Sequence, residues 1–110
     1  MGHSPINIYA VKLTNLPLGV ATVLGAADLT FKSIVFFGAR GTSKSPNSGV
    51  VHVHLRDRVT GEFGPSFPVK PDQFGPTFFA EQNAVGLLDA AQFKAEPTVA
   101  SDGLIGIITV

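Results

Sequence analysis

The chain has 110 residues, of which 45% are hydrophobic and 15% charged, so its length and composition suit one folded domain spanning residues 1–110. Eight Lys and Arg balance eight Asp and Glu, and this zero net charge argues against binding to nucleic acid. The absence of cysteine excludes disulfides, thiolate nucleophiles and Cys-ligated zinc.

The first part of the chain predicts three strands. Residues 6–14 alternate with the period of a strand, and residues 20–24 form a short second candidate. The segment 29–37 is rich in β-branched and aromatic residues, and apolar side chains fall on both of its faces. We therefore expect a strand that is central or covered by a neighbour.

The segment 50–59 predicts a half-buried strand. Its core face would carry Val51, Val53 and Leu55. The opposite face would carry a cationic row: His52, His54, Arg56 and Arg58.

The second half predicts more strands and little helix. Four prolines between residues 65 and 76 allow only edge strands or extended segments there. Residues 85–93 have weak helical spacing, and residues 104–110 form a final strand that is apolar on both faces. The count is seven or eight strands with at most one short helix near 85–93. Short turn spacing without βαβ alternation predicts an all-β antiparallel β-sandwich, jelly-roll-like.

The loop 38–49 resembles a phosphate-binding loop but is better interpreted as a hairpin connection. It differs from the Walker A pattern only at Ser43, where the second glycine belongs. The pattern also requires a following helix, whereas Pro46 and a predicted strand follow here. We therefore predict a mobile polar loop bearing Arg40 and Lys44, without a bound nucleotide.

His52 and His54 are the remaining candidates for chemistry, because two imidazoles at i and i+2 share one strand face. A metal site needs more ligands, and the first glutamate, Glu62, lies beyond a turn. No Ser-His-Asp arrangement is recognisable, and Asp28 and Asp102 are typical turn or cap residues. We predict no catalytic residue, no metal and no cofactor.

Charge is divided along the chain. Residues 1–60 carry six Lys or Arg and two Asp, and residues 61–110 carry two Lys and six Asp or Glu. If a sandwich interleaves the halves, these charges mix; if they occupy separate faces, copies could dock head to tail.

Four segments in order resemble small β-sandwich structural proteins of tailed-bacteriophage virions, including capsid decoration or cement proteins. The resemblance spans about residues 27–110 and rests on the strand 29–35, the Asn-Ser-Gly entry at 47–53, the Pro-flanked Phe segment 74–79 and the ending 100–107. It implies a role on the virion surface or lattice without catalysis.

The resulting expectation is a non-enzymatic virion structural protein, assembled in the host cytoplasm, that oligomerises and binds the major capsid protein or another virion protein. Neither nucleic acid nor a membrane is an expected partner. The candidate interface residues are Arg40, Lys44, His52, His54, Arg56, Arg58, Phe74 and Phe78. Two alternatives stay open: a carbohydrate- or small-ligand-binding sandwich, although the chain has no Trp and one Tyr, and a cupin-like metal-binding protein.

Overall fold

The computed structural model describes residues 8–40, 46–56, 60–80 and 88–110, which are all β apart from one 3-10 turn, η1 (Ala90–Gln92). The strands are β1 (Ile8–Leu13), β2 (Thr22–Val23), β3 (Thr30–Phe31), β4 (Ser33–Phe37), β5 (Val51–Arg56), β6 (Phe63–Val69), β7 (Phe74–Phe79), β8 (Leu88–Asp89), β9 (Phe93–Pro97) and β10 (Leu104–Thr109). Seven of these have five or more residues, in line with the predicted count.

The strands pair as a long antiparallel ribbon rolled upon itself. The pairs are nested in the chain: β1 with β10, β2 with β9, β3 with β8, β4 with β7, and β5 with β6. Two further pairings, β4 with β10 and β5 with β9, join the ribbon into sheets. This is the arrangement of a jelly roll, which confirms the predicted fold class.

The rolled ribbon forms two four-stranded sheets and one small two-stranded sheet. Sheet A has the order β1-β10-β4-β7, and sheet B has the order β2-β9-β5-β6. Their inner faces meet in one apolar core, in which the Phe93 ring lies 5.4 Å from both Phe36 and Phe78. Buried aliphatic residues from both sheets complete the core: Ile34, Val51, Val53, Ala95, Leu104 and Ile108.

A break at Lys32 sets the faces of β4. Strict alternation from residue 29 to 37 predicts that Phe31 lies on the same strand face as Val35 and Phe37. The chain instead bends between β3 and β4, so that Phe31 is buried on the core side while Val35 and Phe37 are half-buried on the outside. The outer face of sheet A is apolar as a result.

The short helix expected near 85–93 is reduced to η1 within the described residues. Asp89 caps it by accepting a hydrogen bond from the Ala91 amide, and Gln92 accepts one from the Asp89 amide. The nested pairing also mixes the two halves of the chain: the Arg40–Asp102 ion pair and the His54–Glu96 hydrogen bond each join one half to the other.

Candidate interaction surface

The two outer faces of the sandwich differ in polarity. The outer face of sheet B carries His52, His54 and Arg56 on β5, beside Lys94 and Glu96 on β9. His54 Nε2 lies 3.2 Å from Glu96 Oε1, and the Lys94 ammonium lies 4.2 Å from the centre of the Phe63 ring. This face is charged and suited to water.

The outer face of sheet A is mostly apolar, with eight hydrophobic residues among twelve. Its residues, called here the A face, are Ile8, Ala10, Lys12, Ser33, Val35, Phe37, Phe74, Thr77, Phe79, Ile105, Ile107 and Thr109. Lys12 is the only charged residue in this set. The solvated face of an antiparallel sheet is normally polar, whereas on the A face each strand contributes only one polar residue: Lys12, Ser33, Thr77 or Thr109.

Three apolar side chains of the A face are strongly exposed. Phe79 is 70% exposed, Phe74 66% and Ile8 58%, while the central residues Ile107 and Val35 are half-buried by their neighbours. The Phe74 ring packs edge-on against Phe37, with 4.8 Å between ring centres, so it lies on the sheet rather than projecting alone. A mostly apolar sheet face that carries three exposed hydrophobic side chains is typical of a protein interface.

A buried polar network joins residues 47–49, before β5, to residues 102–103, before β10. Asp102 is completely buried and accepts hydrogen bonds from the backbone amides of Ser48 and Gly49, each at 2.8 Å. Arg40 also donates to Asp102, from Nη2 at 3.2 Å and Nε at 3.4 Å. The Asp102 carboxylate is a cap, as expected, but for amides more than fifty residues away in the chain.

Asn47 completes the same network by pairing with the Gly103 backbone in both directions. Its side-chain amide donates to the Gly103 carbonyl at 2.7 Å, and its oxygen accepts from the Gly103 amide at 2.9 Å. A Cβ on Gly103 would lie 2.6 Å from the Leu13 carbonyl oxygen, so glycine is required for this close approach. The network therefore anchors the entry to β5 against the entry to β10.

The structure distributes the predicted interface residues over several environments. Phe74 lies on the A face, and His52, His54 and Arg56 lie on the polar face of sheet B. Arg40 is held by Asp102, with 27% of its side chain exposed, rather than free in a mobile loop. Lys44 and Arg58 lie outside the described residues.

Phe78 points toward the core and not toward a partner, contrary to its predicted interface role. Alternation along β7 turns its ring inward, where it contacts Phe36, Phe67 and Phe93. Its neighbour Phe79 faces outward instead. Sequence reasoning missed Phe79, Ile105 and Ile107 as surface candidates. The apolar pattern on both faces of 104–110 was the signal for the two isoleucines, whereas no local pattern set the direction of Phe79.

Neither the Walker-like loop nor the His52–His54 pair forms a ligand-binding site among the described residues. Residues 41–45 of the Walker-like loop lie outside it, and the chain re-enters through Pro46, bridged to Ala39, before β5. No group of three or more His, Cys, Asp or Glu side chains in the described ranges is placed to hold a metal ion. His54 has Glu96 as its acidic neighbour.

The described residues also contain no helix that is long and apolar enough to cross a membrane. Comparison of the chain with protein-family models, with curated proteins and with solved structures gave no match.

Proposed function

We propose that this protein is a non-enzymatic structural subunit that docks on a larger protein lattice through the A face and presents the polar face of sheet B to solvent. The observation that carries the proposal is the contrast between these two faces. Burial of the A face against another protein would remove apolar surface from water, whereas the charged face of sheet B is already suited to exposure.

The two exposed phenylalanines supply much of the expected docking energy. A fully buried aromatic side chain removes about 150–250 Å² from water, so Phe74 and Phe79 each retain roughly 100–170 Å² at the exposures above. At about 25 cal/mol per Å², each could contribute about 3 kcal/mol before the costs of association are subtracted. Values of this size are typical of interface hot spots.

The lattice that fits best is a viral capsid, with the protein acting as a decoration or cement protein on the virion of a tailed bacteriophage. The fold and the sequence both support this choice by analogy. Jelly rolls are frequent among viral capsid and lectin domains, and the four sequence segments described above resemble those of virion structural proteins. The major capsid protein is the proposed partner.

Co-sedimentation with virus particles tests the proposal. Particles purified from cultures that make the protein would be stripped of it and mixed with wild-type protein or with the F74S/F79S double variant. We expect wild-type protein to sediment with the particles and the double variant to lose at least 90% of this binding, because two hot-spot residues are removed.

Leu18→Ser is the matched control, since Leu18 is 58% exposed but lies in the β1–β2 connection and is not one of the A-face residues. It should bind as wild type does. Circular dichroism should show that all variants stay folded, because the replaced side chains contribute little to the core. Equal sedimentation of wild type and double variant, or none by wild type, would overturn the proposal.

A further inference from the structure

The four sheet edges of the sandwich differ in how they are protected. An exposed edge strand presents unpaired N–H and C=O groups, and proteins commonly block such edges with proline or keep them short. β6 contains Pro65 and Pro68, β7 contains Pro76, and β2 has only two residues. β1 has six residues, no proline and one charged side chain, Lys12, so it is the least protected of the four edges.

The backbone hydrogen bonds of β10 determine which residues of β1 face the outer edge of the sheet. The Thr109 carbonyl accepts a bond from the Lys32 amide beside β4, at 2.6 Å, so residues 109, 107 and 105 of β10 direct their backbone groups toward β4. Residues 108, 106 and 104 consequently face β1. Their partners Tyr9, Val11 and Leu13 are bonded to β10, so the backbone groups of Ile8, Ala10 and Lys12 are directed to the outer edge of sheet A, where no other described strand pairs with β1.

We propose that β1 pairs with β1 of a second copy of this chain, antiparallel and centred on Ala10. In this register Ala10 lies opposite Ala10 of the second copy, and Ile8 lies opposite Lys12 of the second copy. All three outward-facing residues of each copy are then used, giving six inter-strand hydrogen bonds. Registers centred on another outward-facing residue of β1 leave part of this set unpaired.

Charge and shape favour a second copy as the occupant. The two Lys12 residues lie about 13 Å apart along the paired strands, which exceeds a physiological Debye length and avoids like-charge repulsion. Each instead has the apolar Ile8 opposite it, against which the lysine stem can pack. Ala10 is small, so its side chain leaves room for the two strands to approach at the two-fold axis.

The pairing would bring the A faces of the two copies to the same side of one continuous sheet. A two-fold axis perpendicular to sheet A joins two four-stranded sheets into one of eight strands, with both A faces on the same side. This symmetry does not depend on what the A face binds. A dimer without particle binding, or particle binding by a monomer, would therefore separate this proposal from the proposed function.

Single-cysteine variants test the register, because the chain has no cysteine of its own. Cα atoms of a hydrogen-bonded antiparallel pair lie about 5.5 Å apart, within the range that a disulfide spans. Ala10→Cys should therefore form a disulfide dimer under mild oxidation. Ile8→Cys and Lys12→Cys, with equivalent Cα atoms more than about 13 Å apart, should not do so alone but should cross-link when mixed.

Analytical ultracentrifugation of the cysteine-free protein supplies the second measurement. Ala10→Pro removes the two central N–H donors, one per copy, and should weaken dimerisation about thirtyfold at ~1 kcal/mol per bond. Ala10→Val keeps both donors and should stay dimeric. Equal cross-linking of all three cysteine variants, none by Ala10→Cys, or a wild-type monomer at ~0.5 mM would each overturn the proposal. The proposal would also be overturned if a different protein covered the β1 edge while this chain stayed monomeric.

Discussion

Asp102→Asn is expected to be the most informative single substitution for stability, because it changes charge and bonding without changing shape. The Asp102 carboxylate is fully buried, and its two oxygens accept the Ser48 and Gly49 amides separately. Asparagine has one oxygen and one NH₂ group. Whichever way the new side chain is turned, one of the two backbone amides loses its acceptor and faces another donor.

The expected cost is the sum of three losses. An unsatisfied buried donor costs about 1–3 kcal/mol, and the surviving bond loses roughly 1 kcal/mol because its acceptor is no longer charged. The ion pair with Arg40 adds less than about 1 kcal/mol, since that side chain is 27% exposed and its charge is screened. The total is about 3 kcal/mol, which corresponds to a fall in Tm of about 10 °C for a domain of this size.

Urea denaturation followed by far-UV circular dichroism is the suitable assay, because the chain has no Trp and only one Tyr for fluorescence. Arg40→Met keeps both amide bonds to Asp102 but removes the cation beside a fully buried carboxylate, so it should cost about 1–3 kcal/mol. Asp28→Asn, at an exposed position, should change the free energy of unfolding by less than about 0.5 kcal/mol. An Asp102→Asn variant within about 1 kcal/mol of wild type, or no more affected than Asp28→Asn, would refute this reasoning.

Two further pairs of variants test the fold. Gly38→Ala places a Cβ against the Lys70 carbonyl oxygen, a backbone atom, and should lower the free energy of unfolding by more than about 2 kcal/mol. Gly64→Ala, with its nearest atom at 3.7 Å, should be neutral. Equal effects of the two substitutions in chemical denaturation would contradict the described packing. Phe36→Ala opens a cavity in the core and should cost about 3–5 kcal/mol, while Phe79→Ala, on the A face, should cost less than about 1 kcal/mol in thermal melts, and a reversal of that order would place the core on the wrong side of sheet A.

Much of the fold follows from local pattern. Alternation in residues 50–59 placed Val51 and Val53 in the core and His52 and His54 outside, because a strand with one buried face has a strict period of two. Prolines 65, 68 and 76 indicated edge strands, and β6 and β7 are edges. The nested pairing itself could be expected only as a class, since it is set by contacts between residues far apart in the chain.

The surface was harder to predict for the same reason. The inward direction of Phe78 and the outward direction of Phe79 depend on where β7 is in register with β4, which includes an irregularity between Val35 and Phe37. The Asp102 network joins residues that no local motif connects, so a turn role was the only available interpretation. The apolar pattern on both faces of two strands was visible, but whether a neighbour in the same chain covers the outer face was not.

Electron cryomicroscopy of particles that carry the protein tests the central proposal most directly. We expect its density at regular lattice positions, with the A face, including Phe74 and Phe79, turned toward the capsid protein and the His52, His54 and Arg56 face turned to solvent. Particles on which the protein occupies no regular position, or on which the polar face of sheet B makes the contact, would contradict the account.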